Sequence, residues 1–328
     1  MESPEVFPVW NLSNVMVIIP CYNEEISIGS TIEKLLRYLE REQILVIDNA
    51  STDGTSRVAK KMGVSVSFEP KKGKGYAVRN GFERIPPKYD LIFMIDGDDT
   101  YSIDELPDAI KMINDFNFDM IIGTRNTILS NLGVDIEKQN LRKPQFRRGH
   151  SFGNRILTRI YIILFKLQIE DTLSGWRLMT YPFIKAFSGG DSGFEIETEL
   201  NVHAYSLARA TANIDVQYYG RILGSESKLR TFRDGFQIVR KMFQLFRHEK
   251  PLIYMFGMSI PFAVSGTWLI LRAIIDYLKL HLVQHFPSLI LGTGLLLNFF
   301  VLNLVGISLS HIQEASSRVM RYQYLNAK

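Results

Sequence analysis

Three aspartates, Asp96, Asp98 and Asp99, follow directly on the apolar run Leu91-Ile92-Phe93-Met94-Ile95. Such a run reads as a buried strand, so the carboxylates stand at its C-terminal end, where open α/β sheets bind ligands. Hard divalent cations take oxygen ligands and are often held by one or two carboxylates together with substrate phosphates. Two further polar segments follow apolar runs in the same way: Pro20-Cys21-Tyr22-Asn23-Glu24-Glu25 after 15–19, and Asp48-Asn49-Ala50-Ser51-Thr52-Asp53-Gly54-Thr55 after 44–47. Polar groups at such edges can reach a base or a ribose. Taken singly, Glu24 and Glu25 read equally well as acids facing a helix dipole, and Asp53-Gly54 as turn chemistry. Lys71-Lys72-Gly73-Lys74-Gly75 is a basic, glycine-containing turn ahead of a helix, able to approach phosphate closely. It lacks P-loop spacing, so ATP hydrolysis gains no support. Acids at three strand ends and one basic turn, on a single sheet edge, describe a nucleotide-diphosphate pocket with a divalent metal.

The elements that must position these residues alternate between strand and helix. Strands are expected at 15–19, 44–47, 64–68, 91–95 and 120–123, and helices at 26–39, 55–62, 75–85 and from a Ser102/Glu105 capping-box pattern to about 116. This alternation predicts an α/β fold with a mostly parallel sheet and flanking helices. A chain of 328 residues holds one large domain of this kind plus an appendage. The lone Cys21 excludes an internal disulfide and suits a reducing compartment. No secretory signal is expected, because the apolar stretch 15–20 is too short and lacks a basic flank.

The appendage differs in character. Segments 252–271 and 289–310 each hold about 20 mostly apolar residues, a spanning length. Two buried core helices of a larger soluble fold are the alternative. Arg240, Lys241, Arg247 and Lys250 precede the first segment, and Arg318, Arg321 and Lys328 follow the second, whereas the connection carries only Arg272 and Lys279. The positive-inside rule then puts both termini in the cytoplasm, in a multi-pass protein of the plasma (inner) membrane. Segments 146–167 and 229–250 interleave arginines with apolar residues at helical spacing, as interfacial amphipathic helices do; packing on the soluble core is the alternative. The expected division is 1–228 catalytic, 229–250 juxtamembrane, 251–310 membrane and 311–328 cytoplasmic tail. His281 and His285 stand four apart between the spans, without the third ligand that a metal site needs. Asn49-Ala50-Ser51 matches a glycosylation triplet, but its place beside the pocket argues against modification.

The ordered blocks at 20–25, 48–55, 72–77 and 96–98 resemble family 2 glycosyltransferases with the GT-A fold. Asp171-Thr172-Leu173-Ser174-Gly175-Trp176-Arg177 and Gly224-Ser225-Glu226-Ser227-Lys228-Leu229 resemble blocks of the polyprenyl-phosphate (dolichyl or undecaprenyl) sugar synthases. The resemblance implies a nucleotide-diphosphate sugar donor, UDP-linked by preference, and a polyprenyl-phosphate acceptor held in the bilayer. It implies that Pro20, Tyr22, Glu24, Asp48, Lys74, Asp96 and Gly97 bind the nucleotide, and that Asp98 with Asp96 holds Mg2+ or Mn2+. Arg125 is the implied diphosphate clamp, Arg147, Arg177, Arg221 and Lys228 the implied ligands of the acceptor phosphate, and Asp171 the base or acceptor-orienting acid. The expected reaction is inverting transfer of a hexose, glucose or N-acetylglucosamine being favoured. A dolichyl-phosphate mannose synthase using GDP-mannose and a metal-dependent sugar nucleotidyltransferase are the alternatives. Thr100 stands where some relatives carry a Gln that completes the metal shell, and the Gln-x-x-Arg-Trp motif of processive synthases is missing. Nucleic acid is not an expected partner, and homo-oligomerisation is left open.

Overall fold

The structure, a computed structural model, describes residues 9–126, 162, 164–165, 170–190, 193, 195–222, 231–282 and 285–327, with the side chains of 126 and 231–237 left aside. The strands are β1 (Val15–Cys21), β2 (Ile44–Asp48), β3 (Ser65–Phe68), β4 (Leu91–Met94), β5 (Met120–Asn126), β6 (Arg177–Thr180) and β7 (Thr211–Gln217). They form a single sheet in the order β3-β2-β1-β4-β6-β5-β7. β1 pairs in parallel with β2 and β4, β2 with β3, and β5 with β7. β6 runs antiparallel between β4 and β5. Every residue of β1, β2 and β4 is buried, as strands covered on both faces must be. The chain leaves β1 outward to β2 and β3, then returns to β4 on the other side. That reversal opens a crevice at the carboxyl ends of β1 and β4.

Helices α1 (Ile28–Leu35), α2 (Thr55–Lys61), α3 (Lys74–Glu83), α4 (Leu106–Phe116), α5 (Tyr181–Lys185) and α6 (Ile196–Leu207) cover the sheet. Ile28, Ile32 and Leu35 of α1 form one buried stripe, joined in the core by Leu106, Ile110 and Ile113 of α4. Two sequence expectations are revised. The helix expected over 26–39 ends at Leu35, and the chain continues in turns that still bury Leu39. The Ser102/Glu105 capping box is not formed, because α4 starts only after Glu105. Ser102 Oγ instead accepts from the Asp104 amide at 3.1 Å.

The structure divides into two compact bodies: Met1–Met242 with Met320–Lys328, and Phe243–Val319. The first runs past 228, the expected end of the catalytic part, and takes in half of the expected 311–328 tail. Helix α7 (Thr231–Glu249) buries Ile238 and Met242, and its Lys241 meets Glu199 at 3.0 Å. Segment 146–167 lies largely outside the described residues, but Phe165 is buried against Tyr205. Tyr324, near the end of the last helix, is buried, and its hydroxyl donates to Asp119 Oδ1 at 2.7 Å. Thr180 Oγ1 donates to the same oxygen at 2.8 Å, while Arg209 stacks 4.0 Å from the centre of the Tyr324 ring. The Asp119 amide donates to Ala210 O and the Thr180 amide to Asp119 O, so this residue ties β5, β6 and β7 together.

The second body holds α8 (Pro251–Leu280) and the main part of α9 (Phe286–Ala327), both long and apolar enough to cross a membrane. A Cβ at Gly266 or at Gly292 would meet the other's carbonyl oxygen at 2.9 Å, the close backbone approach used by membrane helices. Asn303 Nδ2 donates to Ser259 Oγ at 3.0 Å across the same seam. Trp268, Phe300 and Leu304 point outward, which is costly in water and favourable in lipid. His285 Nδ1 lies 2.8 Å from Asp276 Oδ2, and His281 ends α8 in a left-handed conformation. No cluster of three metal-ligating side chains occurs among the described residues.

Tyr324→Phe removes one hydrogen bond to a buried carboxylate and leaves the ring in place. We expect a loss of about 1–2 kcal/mol and a fall in melting temperature of a few degrees, read from Trp fluorescence of the detergent-purified protein.

Candidate functional site

Three non-glycine residues in left-handed conformation mark the loops at this sheet edge: Asn23 after β1, Ala50 after β2 and Asp99 after β4. Such residues are uncommon and gather at functional sites. The first two loops are laced together. Asn23 N donates to Ser51 Oγ at 3.0 Å, Thr52 N to Asn23 Oδ1 at 2.7 Å, and Glu24 N to Thr55 Oγ1 at 2.8 Å. Asn49 then fixes the basic turn, accepting from Gly73 N and donating to Lys71 O, both at 2.6 Å. Its amide is thereby buried and engaged.

These loops enclose a cavity of about 380 Å³ lined by Pro20, Tyr22, Glu24, Asn49, Lys72, Lys74, Asp96, Gly97, Asp98 and Arg221. Most of the residues expected at the nucleotide are thus brought together. Asp48 sits behind the wall, its oxygens taken by Ser51 N at 2.9 Å and by Ser56 Oγ. Lys72 Nζ lies 5.3 Å above the Tyr22 ring. The acid triplet divides. Asp99 turns towards α1, where it meets Lys34 at 2.6 Å and Ser30 Oγ at 3.0 Å, and so supports the loop. Asp96 and Asp98 face the cavity.

Charge at the site is balanced by cations. Lys74 Nζ bridges Asp96 Oδ1 and Glu197 Oε1, each at 2.6 Å. Burial pulls its pKa down, but the two carboxylates outweigh burial and hold the ammonium above the ordinary lysine range. Burial, with Asp96 adding to it, pushes the Asp98 carboxyl above its usual value despite the opposing Arg221. Arg221 Nη2 reaches Asp98 Oδ2 at 2.5 Å, and Thr100 Oγ1 donates to Asp98 Oδ1 at 2.6 Å. Thr100, a departure from the family pattern in sequence, is therefore a direct support of Asp98. The loop before β6 closes in from the other side. A Cβ on Gly175 would fall 2.2 Å from Asp96 Oδ2, so any larger residue there would push that carboxylate aside. Trp176 anchors the loop, with Nε1 donating to Ser102 O at 3.1 Å and the ring edge-on to Phe93 at 4.8 Å.

The remaining expected ligands fall in three places. Arg125 forms a two-point pair with Asp171, at 2.6 and 2.7 Å. Arg177 is fully buried; it donates to Ser174 O at 3.0 Å, Thr172 O at 3.2 Å and Asn201 Oδ1 at 2.6 Å. That position corrects its reading as a phosphate ligand: β6 turns it inward, where it holds the 171–176 loop from beneath. Arg147 and Lys228 lie outside the described residues. Sequence reasoning missed Glu197, one of three acids in Glu195-Ile196-Glu197-Thr198-Glu199 with nothing local to single it out. It is buried instead, and burial pushes its carboxyl above the usual range, Lys74 opposing.

The donor set suits a divalent ion: two carboxylates on one wall, with a cation already drawn to each of them. Asp98, with Asp96 beside it, is the pair that would hold Mg2+ or Mn2+, the rest of the shell coming from phosphate oxygens and water.

Comparison with known proteins agrees with the geometry. The family model described as Glycosyl transferase family 2 matches residues 16–165. Glycosyltransferase AglJ of Haloferax volcanii is 33% identical over 266 residues, covering 80% of this chain and 81% of that protein. A dolichyl-phosphate hexose transferase of the same organism is 25% identical, over 74% of this chain and 97% of its own. An undecaprenyl-phosphate mannosyltransferase of Micrococcus luteus is 25% identical, over 66% of this chain and 87% of its own. Among solved structures, glucosyl-3-phosphoglycerate synthase from Mycobacterium tuberculosis, in complex with Mn2+, UDP and phosphoglyceric acid, superposes with a TM-score of 0.53 at 16% identity, over 73% of this chain and 84% of that one, a likeness of fold. With strand ends, basic turn and acid pair assembled on one sheet edge, the chain is a glycosyltransferase and belongs to glycosyl transferase family 2.

Proposed function

We infer that this glycosyltransferase moves a hexose from a nucleotide-diphosphate sugar, UDP-linked by preference, to a polyprenyl phosphate, inverting the anomeric centre. The observation that carries the reading is the pairing of Asp96 and Asp98 with Lys72, Lys74 and Arg221 around one cavity, in a chain that also carries two membrane-length apolar helices. A soluble acceptor would not call for the helices. The polyprenyl-phosphate transferases among its relatives support the same acceptor. On this reading the protein is multi-pass, with its catalytic unit on the cytoplasmic side of the membrane.

A divalent cation held by Asp98 and Asp96 supplies positive charge against the leaving diphosphate. The chain's own groups do the rest. Lys74 stays protonated between Asp96 and Glu197 and so fixes the direction in which Asp96 points. Both oxygens of Asp171 receive Arg125, which favours orienting the acceptor over taking a proton from it. Little proton removal is needed, since a phosphate monoester loses its second proton near pH ~6. Positioning and charge neutralisation then dominate the barrier.

Two variants test the reading. Asp98→Asn should lower metal-dependent transfer of labelled hexose to undecaprenyl or dolichyl phosphate by at least about 100-fold with an unchanged circular dichroism spectrum. Full activity in that variant, or in chelator, would refute the metal assignment. Release of inorganic diphosphate instead of a nucleoside diphosphate would point to a nucleotidyltransferase. Gly175→Ala forces Asp96 aside, so kcat/KM should fall by at least about 10-fold, with about 1–3 kcal/mol of destabilisation from overpacking. Steady-state kinetics and thermal unfolding of the same preparation measure both.

A further inference from the structure

Helix α9 carries two seven-residue repeats on different faces. Gly292, Phe299 and Gly306 lie against α8. A Cβ at Gly292 would meet Ile270 and one at Gly306 would meet Met255, both at 2.9 Å, and the Phe299 ring packs on Phe256. One position earlier, Leu291, Asn298, Val305, Ile312 and Val319 recur at the same interval, and all five are exposed. Three residues after the first four stand Gly294, Val301, Ser308 and Ala315. The last three are exposed as well, and a Cβ at Gly294 would meet nothing within 4 Å. Residues spaced alternately by three and four along a helix form the seam of a coiled coil.

Lipid tails do not suit this face. Asn298 is exposed near the middle of the apolar segment 289–310. Its Nδ2 donates to Gly294 O at 3.0 Å, and its Oδ1 has no partner among the described residues. A polar group turned to hydrocarbon is costly. The same face then runs on past the segment, where Ile312 and Val319 are 66% and 58% exposed. Val319 stands about 13 Å along the axis from residue 310, beyond a headgroup layer of about 5–8 Å. One continuous face thus shows an amide to lipid and large apolar side chains to water.

We propose that this face pairs with the same face of a second copy of the chain. Copies in one bilayer share an orientation, so their α9 helices run parallel and equivalent positions meet. Asn298 then faces the partner subunit's Asn298. An amide carries donor and acceptor together and so suits its own copy, which is how one asparagine fixes the register of a parallel pair. Val305, Ile312 and Val319 are β-branched at the positions where that favours two strands. Gly294, Ser308 and Ala315 let the backbones approach. Arg318, on the flank, is matched within its own helix by Glu314 at 2.7 Å, which reduces repulsion between copies. The pairing rests on α9 crossing the membrane and is independent of the donor, acceptor and metal.

Single cysteines in the full-length protein, reconstituted in vesicles of phosphatidylethanolamine and phosphatidylglycerol, test it; the native Cys21 is buried. Oxidation should give a disulfide-linked dimer from Ser308→Cys, Ile312→Cys and Ala315→Cys, and little from Ile307→Cys and Glu314→Cys, which lie round the helix from the seam. Gly294→Leu fills space that is open within one chain, so circular dichroism should not change. In the Ile312→Cys background it should cut the dimer yield by at least about 5-fold, through overpacking between copies. Gly257→Leu on α8, equally open within the chain, should leave the yield as it was. Asn298→Val should lower the yield by about 3-fold or more. Equal yields at all five cysteine positions, no dimer at any of them, or an undiminished yield in Gly294→Leu overturns the pairing. Release of the protein from the vesicles by alkaline carbonate overturns the membrane span itself and the pairing with it.

Discussion

Two carboxylates that face one cavity repel each other, and burial removes the water that would screen them. The site of this protein depends on how that repulsion is met. Asp96 is neutralised from below by Lys74, which shares itself with Glu197; Asp98 is met from the front by Arg221. The two arrangements differ in kind. Lys74 is nearly enclosed and holds two anions, so it behaves as part of the framework. Arg221 stands partly exposed at the rim, 2.5 Å from Asp98 and 3.9 Å from Glu24. One acid is thus held from within the fold and the other from its rim.

Much of this was legible in the sequence because β1, β2 and β4 are buried on both faces and end abruptly in polar residues. A continuous Val/Ile/Leu run followed by Asp, Asn or Glu marks both the strand and its polar end, and Pro20, Tyr22, Glu24, Asp96, Gly97 and Asp98 were singled out that way, Lys74 by its basic glycine-containing turn. What could not be read depends on contacts between distant segments. Glu197 looks like one acid among several on a helix until Lys74, far away in the chain, is placed against it. Arg177 sits in a block that reads as phosphate-binding, yet strand alternation turns it inward to three oxygen acceptors. The Ser102/Glu105 pattern failed for a local reason: the Asp104 amide bonds Ser102, and Pro107 then opens the helix.

The same chemistry of burial runs in opposite directions in the two bodies. Around the sheet, apolar side chains point inward and every buried charge named here has a partner. Along α8 and α9, large apolar side chains point outward, while glycine, serine and asparagine occupy the seam. A polar seam with an apolar exterior is the arrangement expected where the surroundings are hydrocarbon.

The bond from Tyr324 to Asp119 sets an order of events during biosynthesis. Its two partners belong to one compact unit, yet the ribosome releases the tyrosine only after both apolar helices have emerged. Until then Asp119 waits at the root of β5 with an incomplete set of donors. Maturation of the sugar-transferring unit is thereby linked to delivery of the second hydrophobic segment, and a chain stalled before that point carries an unfinished enzyme.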